Sequence, residues 1–164
     1  MGVAAVAVVA LLAFAWRPAI APIAPPAPTS FPRELVENGE RLASAGNCID
    51  CHTAPGGPAN AGGKPTRTKV GNFYSTNLTP DPETGLGRWS EADIIKAVRT
   101  GVRPDGRQLV PIMPYHSYGK LSDADARALA SYLKSLKPVR NQVPGPVGPS
   151  EKPSAPYLTV IMPQ

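Results

Sequence analysis

The sequence predicts an all-α domain of about three to four helices joined by long loops. Three observations lead there. Apolar residues recur at helical spacing in three separate segments, near residues 34–47, 90–101 and 122–137, each with start or stop signals at its ends. Between the first two lies a glycine- and proline-rich stretch, residues 53–88, too long to be bare loop in a compact domain unless it wraps something. And the first segment runs directly into Cys48-Ile49-Asp50-Cys51-His52, the attachment signature of a c-type haem.

Each position of that motif has a chemical reason. Two thiols one helical turn apart can form thioethers to the two vinyl groups on one porphyrin edge. His52 then lies next in line to present an imidazole nitrogen to the iron. Other metal and redox readings fit less well. A structural zinc site needs four ligands, and the chain has only two cysteines and two histidines, with His116 far along among prolines. A thioredoxin-like C-x-x-C wants a βαβ context that the flanks do not offer. The motif also consumes both cysteines, leaving none for disulfides.

At 164 residues the chain holds one ordinary domain. Just over half of its 21 prolines lie outside residues 31–140, so the middle is the globule and the ends are extended. With few aromatic residues, such a globule has a modest core that a buried macrocycle would supplement. The formal charge is +5 and the pI about 9.4. Within residues 31–140, fifteen Lys and Arg stand against eleven Asp and Glu, scattered and without interleaved aromatics. That excludes nucleic acid as a partner and suits docking on an acidic protein.

In chain order, residues 1–16 are entirely apolar and are followed by Arg17-Pro18 and an Ala/Pro-rich tether to Ser30. They read as an N-terminal apolar anchor or a signal segment, and either version exports the globule. Residues 31–140 form the domain. Its first helix, Glu34–Asn47, turns Leu35, Val36 and Leu42 inward and delivers both cysteines. Thr79–Gly85 reads as a capped turn rather than a calcium loop. Ser90 starts the next helix, with Asp93 as a capping-box partner, Ile94, Ile95 and Val98 inward, and Gly101 at its end. Trp89, just before that cap, is placed to pack in the core or to lie against the haem edge with its N–H toward a propionate.

Met113 sits between Pro111 and Pro114, and a loop stiffened by proline suits a flexible, weakly binding thioether as the second axial ligand. His116 competes for the same iron position, but three residues from Met113 it is expected on the rim. Ser122 caps the last helix, Asp123–Leu136, with Leu129, Leu133 and Leu136 inward and Lys134 and Lys137 at its negative end. Residues 141–164 form a Pro/Gly-rich extension with a short strand-like segment, Tyr157–Met162.

The stretches ENGERLASAGNCIDCHTAPGG, NFYSTNLTPDPETGLGRWS and PIMPYHSYGKLSDADARALASYLKSL give residues 34–140 a specific likeness. The region resembles a class I cytochrome c domain. More narrowly, it is similar to the cytochrome c domains found with membrane-bound alcohol, aldehyde and gluconate dehydrogenases. The resemblance implies one haem c wrapped by the helices, thioether residues Cys48 and Cys51, and iron ligands His52 and Met113. It implies that Gly39 meets Tyr132 where the first and last helices cross, and that Tyr74, Ser75, Asn77 and Trp89 lie near the propionates. Those dehydrogenase subunits generally carry three such domains and this chain carries one motif, which weakens transfer of a named substrate.

The functional expectation is therefore an electron carrier rather than an enzyme. Its partners would be a dehydrogenase as donor and a quinone or terminal oxidase as acceptor, on the periplasmic side of a bacterial inner membrane. Two readings of other classes compete: a peroxidase-like haem enzyme with a labile methionine, and a structural haem subunit of a larger complex.

Overall fold

The computed structural model describes residues 31–69, 71–146, 148, 150 and 158–159. Residues 1–30 lie outside it, and with them the anchor-or-signal expectation. Among the described residues no helix is long and apolar enough to cross a membrane.

Helix α1, Arg33–Ala45, follows Pro32 and stops where Gly46 N donates to Leu42 O at 2.8 Å. The expected helix to Asn47 is thus two residues shorter. Asn47 takes a left-handed φ of 59°, and the chain restarts as the single turn α2, Cys48–Cys51. Helix α3, Glu91–Thr100, carries the capping box read from the sequence: Asp93 N donates to Ser90 Oγ and Ser90 N to the Asp93 carboxylate. Gly101 closes it at φ 72°. A second single turn, α4, spans Tyr115–Tyr118. Helix α5, Asp123–Ser135, is capped by Ser122, whose Oγ accepts from Asp125 N. The described residues therefore hold three helices of several turns and two of one.

The long irregular stretch also contains a small sheet that polar sequences such as Pro65–Thr68 do not announce. Strand β1, Pro65–Thr68, pairs antiparallel with β2, Gly71–Tyr74, in a register that sets Pro65 opposite Tyr74 and Thr68 opposite Gly71. On its other edge β1 pairs parallel with β3, Leu158–Thr159, drawn from the C-terminal extension.

The core lies where α1, α3 and α5 meet. Ala43, Leu86, Ile94, Val98, Leu129, Ala130 and Leu133 form it, with Cys48, Met113, Trp89 and Tyr118 packed against its margin. A Cβ on Gly39 would stand 2.1 Å from Ala128 O and 2.6 Å from the Tyr132 Cβ. The α1–α5 crossing therefore needs glycine there, and Gly39 meets Tyr132 as the resemblance implied. Leu35, Val36 and Leu42 are only half-buried, because the crossing is made on Gly39 and Ala43 instead.

Candidate haem-binding site

The cleft beside this core is built from five segments. Helix α3 contributes Ile94, Ala97 and Val98, and α5 contributes Leu133. The long loop brings Thr76, Asn77, Leu78, Thr84, Leu86 and Trp89, and the last loop brings Arg103, Leu109 and Met113. His52 lines the same space, which is partly open to solvent. Its mostly apolar lining with a few convergent polar groups suits an apolar ligand with a polar edge.

His52 is held from two sides. Its Nδ1 donates to Thr76 O at 2.7 Å, and its own carbonyl accepts from Gly62 N at 2.7 Å. Gly62 makes the approach possible: at φ +76°, a Cβ on it would lie 2.5 Å from Thr76 C and 2.6 Å from Asn77 N. With Nδ1 committed as donor, Nε2 keeps its lone pair for a metal. Burial lowers the pKa of the imidazole, and the Thr76 hydrogen bond only partly offsets that, so the ring is neutral near pH 7.

The thiols stand on α2 just before it. Cys48 is half-buried against the core and Cys51 is exposed. Burial, with Cys51 beside it, raises the Cys48 thiol above its usual range. Lys64 Nζ closes the turn by donating to Asp50 O at 2.6 Å.

Met113 lines the cleft from a tight backbone turn: its N donates to Val110 O at 3.2 Å and its carbonyl accepts from Tyr115 N at 2.8 Å. His116 is exposed, tilted against the Tyr115 ring at 4.5 Å, and takes no part in lining the cleft.

The other residues singled out by sequence fall in different places. Trp89 lines the cleft, with the Arg103 guanidinium 5.4 Å from its ring centroid. Asn77 also lines it, but its amide is engaged inside the protein: Nδ2 donates to Thr84 Oγ1 and Val139 O, and Oδ1 accepts from Thr79 N. Tyr74 and Ser75 are outside the lining; Ser75 Oγ accepts from Lys64 N. Thr79–Gly85 is a turn around Asp81, whose carboxylate accepts from Thr84 N at 2.7 Å, Thr84 Oγ1 at 2.7 Å and Glu83 N at 3.2 Å.

Two site residues escaped the sequence reading. Arg103 Nε is buried without a hydrogen bond, 3.4 Å from Asp105 Oδ2 as an ion pair only. A spare donor on a cation at the margin of an apolar cleft fits the propionates of a haem. Lys134 is 2% exposed, and its ammonium gives its protons to the carbonyls of Leu86, Gly87 and Trp89 at 3.3, 3.1 and 2.7 Å. It braces the segment from which Leu86 and Trp89 reach the cleft. The R-P-D-G turn after α3 gave some signal for Arg103. Lys134 gave none, being placed as any helix-end lysine. The residues present thus fit haem c: paired thiols, an oriented neutral imidazole, a thioether in the same apolar cleft and a cation with a spare N–H donor.

A family model described as cytochrome c matches residues 36–137. The chain is 50% identical over 132 residues to a component of the nicotinate dehydrogenase of Pseudomonas putida, covering 80% of this chain and 11% of that protein. It is 52% identical over 99 residues to the gluconate 2-dehydrogenase cytochrome c subunit of Pantoea cypripedii, covering 60% of this chain and 22% of that one. A diheme cytochrome c-type protein of Cereibacter sphaeroides is 37% identical over 105 residues, covering 61% of this chain and 36% of that protein. The chain therefore spans only a minor part of the length of these relatives.

Proposed function

This chain belongs to the cytochrome c family, and from that membership and the geometry of the cleft we propose that it is an electron carrier holding one haem c. Cys48 and Cys51 would hold the macrocycle as thioethers, and His52 and Met113 would bind its iron. When bound, the group supplies a one-electron Fe(III)/Fe(II) couple. The rest is done by the chain. Thr76 O orients the imidazole, Arg103 takes negative charge at the cleft margin, and Leu86, Ile94, Val98 and Leu133 exclude water.

The observation that carries this reading is that His52, its Nδ1 already committed, shares one apolar cleft with Met113, sixty-one residues later. With His52 and Met113 both holding the iron, no position would be left open for a substrate, which favours electron transfer over turnover.

The exposed apolar side chains Ile49, Val110 and Ile112 sit within the cysteine motif and beside Met113, and offer a rim for a redox partner. The donor is a dehydrogenase, the class to which two of the relatives above belong by name. The acceptor is a quinone or terminal oxidase of the respiratory chain. The setting is the periplasmic side of a bacterial inner membrane, reached through residues 1–16 as anchor or signal.

The test is spectroscopic. The exported protein should show a c-type α band when reduced and a weak far-red band when oxidised, the mark of a thioether ligand. Met113→Ala should abolish the far-red band and let carbon monoxide bind the reduced protein rapidly. A far-red band that survives the substitution refutes the ligand set. Covalent haem retained by the Cys48→Ser, Cys51→Ser double variant refutes the attachment.

A further inference from the structure

We infer that Val139–Asn141, the segment leaving α5, is a strap that fixes the hydrogen bond on the His52 imidazole and thereby sets the reduction potential of the group it ligates. The inference rests on the haem reading above and concerns residues beyond the 36–137 span of the family match.

The strap grips both segments that hold His52. On one side, Asn141 Nδ2 donates to Ala61 O at 2.8 Å, next to Gly62, whose N–H holds the His52 carbonyl. On the other, Val139 O accepts from Asn77 Nδ2 at 2.8 Å, and Asn77 directly follows Thr76, whose carbonyl takes the His52 Nδ1 proton. Two hydroxyls tie the sides together. Val139 N donates to Thr79 Oγ1 at 3.1 Å, and Asn141 N donates to Thr84 Oγ1 at 3.0 Å, the same oxygen that accepts from Asn77 Nδ2.

Burial makes this grip specific. Asn77 is 1% exposed, so a lost partner there is not replaced by water. The neighbouring Arg140–Glu83 pair is solvated on both sides and adds little. Asn77 is thus a positioning residue, acting through the peptide it shares with Thr76.

The consequence follows from ligand basicity. A firm Nδ1–H···O bond makes the imidazole a stronger donor, which favours the ferric state and lowers the potential. Loosening the strap should therefore raise it.

Two full-length variants test this. Asn141→Pro removes both the N–H given to Thr84 and the amide given to Ala61, at a half-exposed position where folding should survive. Asn77→Ala removes the buried knot itself. Each is assayed for covalent haem, for midpoint potential by redox titration, and for exchange of the His52 Nδ1 proton by NMR of the reduced protein. For Asn141→Pro the expected result is unchanged haem content, an intact far-red band and Nδ1 exchange at least tenfold faster; Asn77→Ala should speed that exchange at least as much. The reduced-to-oxidised ratio at fixed ambient potential should rise about threefold, about 28 mV at 59 mV per tenfold. A haem-loaded Asn141→Pro protein with unaltered midpoint and exchange overturns the strap. Absence of covalent haem from the unsubstituted chain overturns the haem reading instead, and the strap's role with it.

Discussion

The two sides of the cleft are held in opposite ways. His52 is fixed by atoms distant in sequence: Thr76 O, Gly62 N and, behind them, the Val139–Asn141 strap. Met113 is fixed mostly by its own neighbours, through a turn from Val110 to Tyr115 and the restricted φ angles of Pro111 and Pro114. Among the described residues, that stretch is tied to a distant segment by Tyr118, whose hydroxyl donates to Gly46 O at 2.7 Å. The histidine side is therefore a tertiary construction that stands or falls with the fold. The methionine side is a local one that can yield alone.

The largest break in that contrast should come at Gly62. Alanine there meets a positive φ and a backbone approach of 2.5 Å at once, with no flexible side chain to give way. Gly62→Ala should cost about 3–5 kcal/mol or prevent folding, read as the denaturant midpoint of the purified protein. Stability near that of the parent would show that the long loop is less tightly bound to His52 than its geometry implies.

Next in size is Lys134, which braces the wall between the two sides. Lys134→Met keeps the buried stem but leaves the carbonyls of Leu86, Gly87 and Trp89 without their donor. A loss of about 3 kcal/mol is expected from unsatisfied buried acceptors, together with altered Trp89 fluorescence. An unchanged spectrum and midpoint would mean that the segment is held by packing alone.

What could be seen in the sequence divides along the same line. Two of the long helices were legible because their caps are side chains: Ser90 with Asp93 and Ser122 with Asp125 announce themselves, and Gly101 ends a helix by a rule that needs no tertiary knowledge. Cys48, Cys51, His52 and Met113 stood out as candidates in short motifs, and the fold brings His52 and Met113 to one cleft. What holds His52 was not, because Thr76, Ala61 and Val139 act through backbone carbonyls, and a carbonyl leaves no mark on residue type. Asn77 was picked out as a propionate neighbour; it lines the cleft, and residue type did not show that its amide is engaged by Thr84 and Val139. The hairpin Pro65–Tyr74 was missed because most of its residues alternate nothing apolar.

A smaller effect should appear on the methionine side. Tyr118→Phe removes the tie to Gly46 while keeping the ring in the core margin. Stability should fall by only about 1 kcal/mol, but the far-red band should weaken and carbon monoxide should bind the reduced protein faster. That pattern, function disturbed more than stability, is what a locally held loop predicts. Equal losses in both would make the methionine side as tertiary as the histidine side.

The smallest effect concerns acid, and it should select the histidine side. Asp81 is buried, which alone would raise its pKa, but hydrogen bonds from Thr84 and Glu83 and the nearby Arg140 outweigh that and hold it below the usual carboxylate range. A depressed folded pKa means stabilisation that is complete above the unfolded value of about 3.9 and lost as pH falls through the folded value. Asp81 steadies Thr84, and Thr84 Oγ1 receives both Asn77 Nδ2 and Asn141 N. Protonation should therefore slacken the network behind His52 before it touches Met113. Asp81→Asn should be less stable than the parent at pH 7, by about 1 kcal/mol or less. The gap should begin to close as pH falls below about 3.9 and vanish below the folded value, as followed by denaturant titration at each pH. A gap that persists undiminished in acid would place the role of Asp81 in the shape of its turn rather than in its charge.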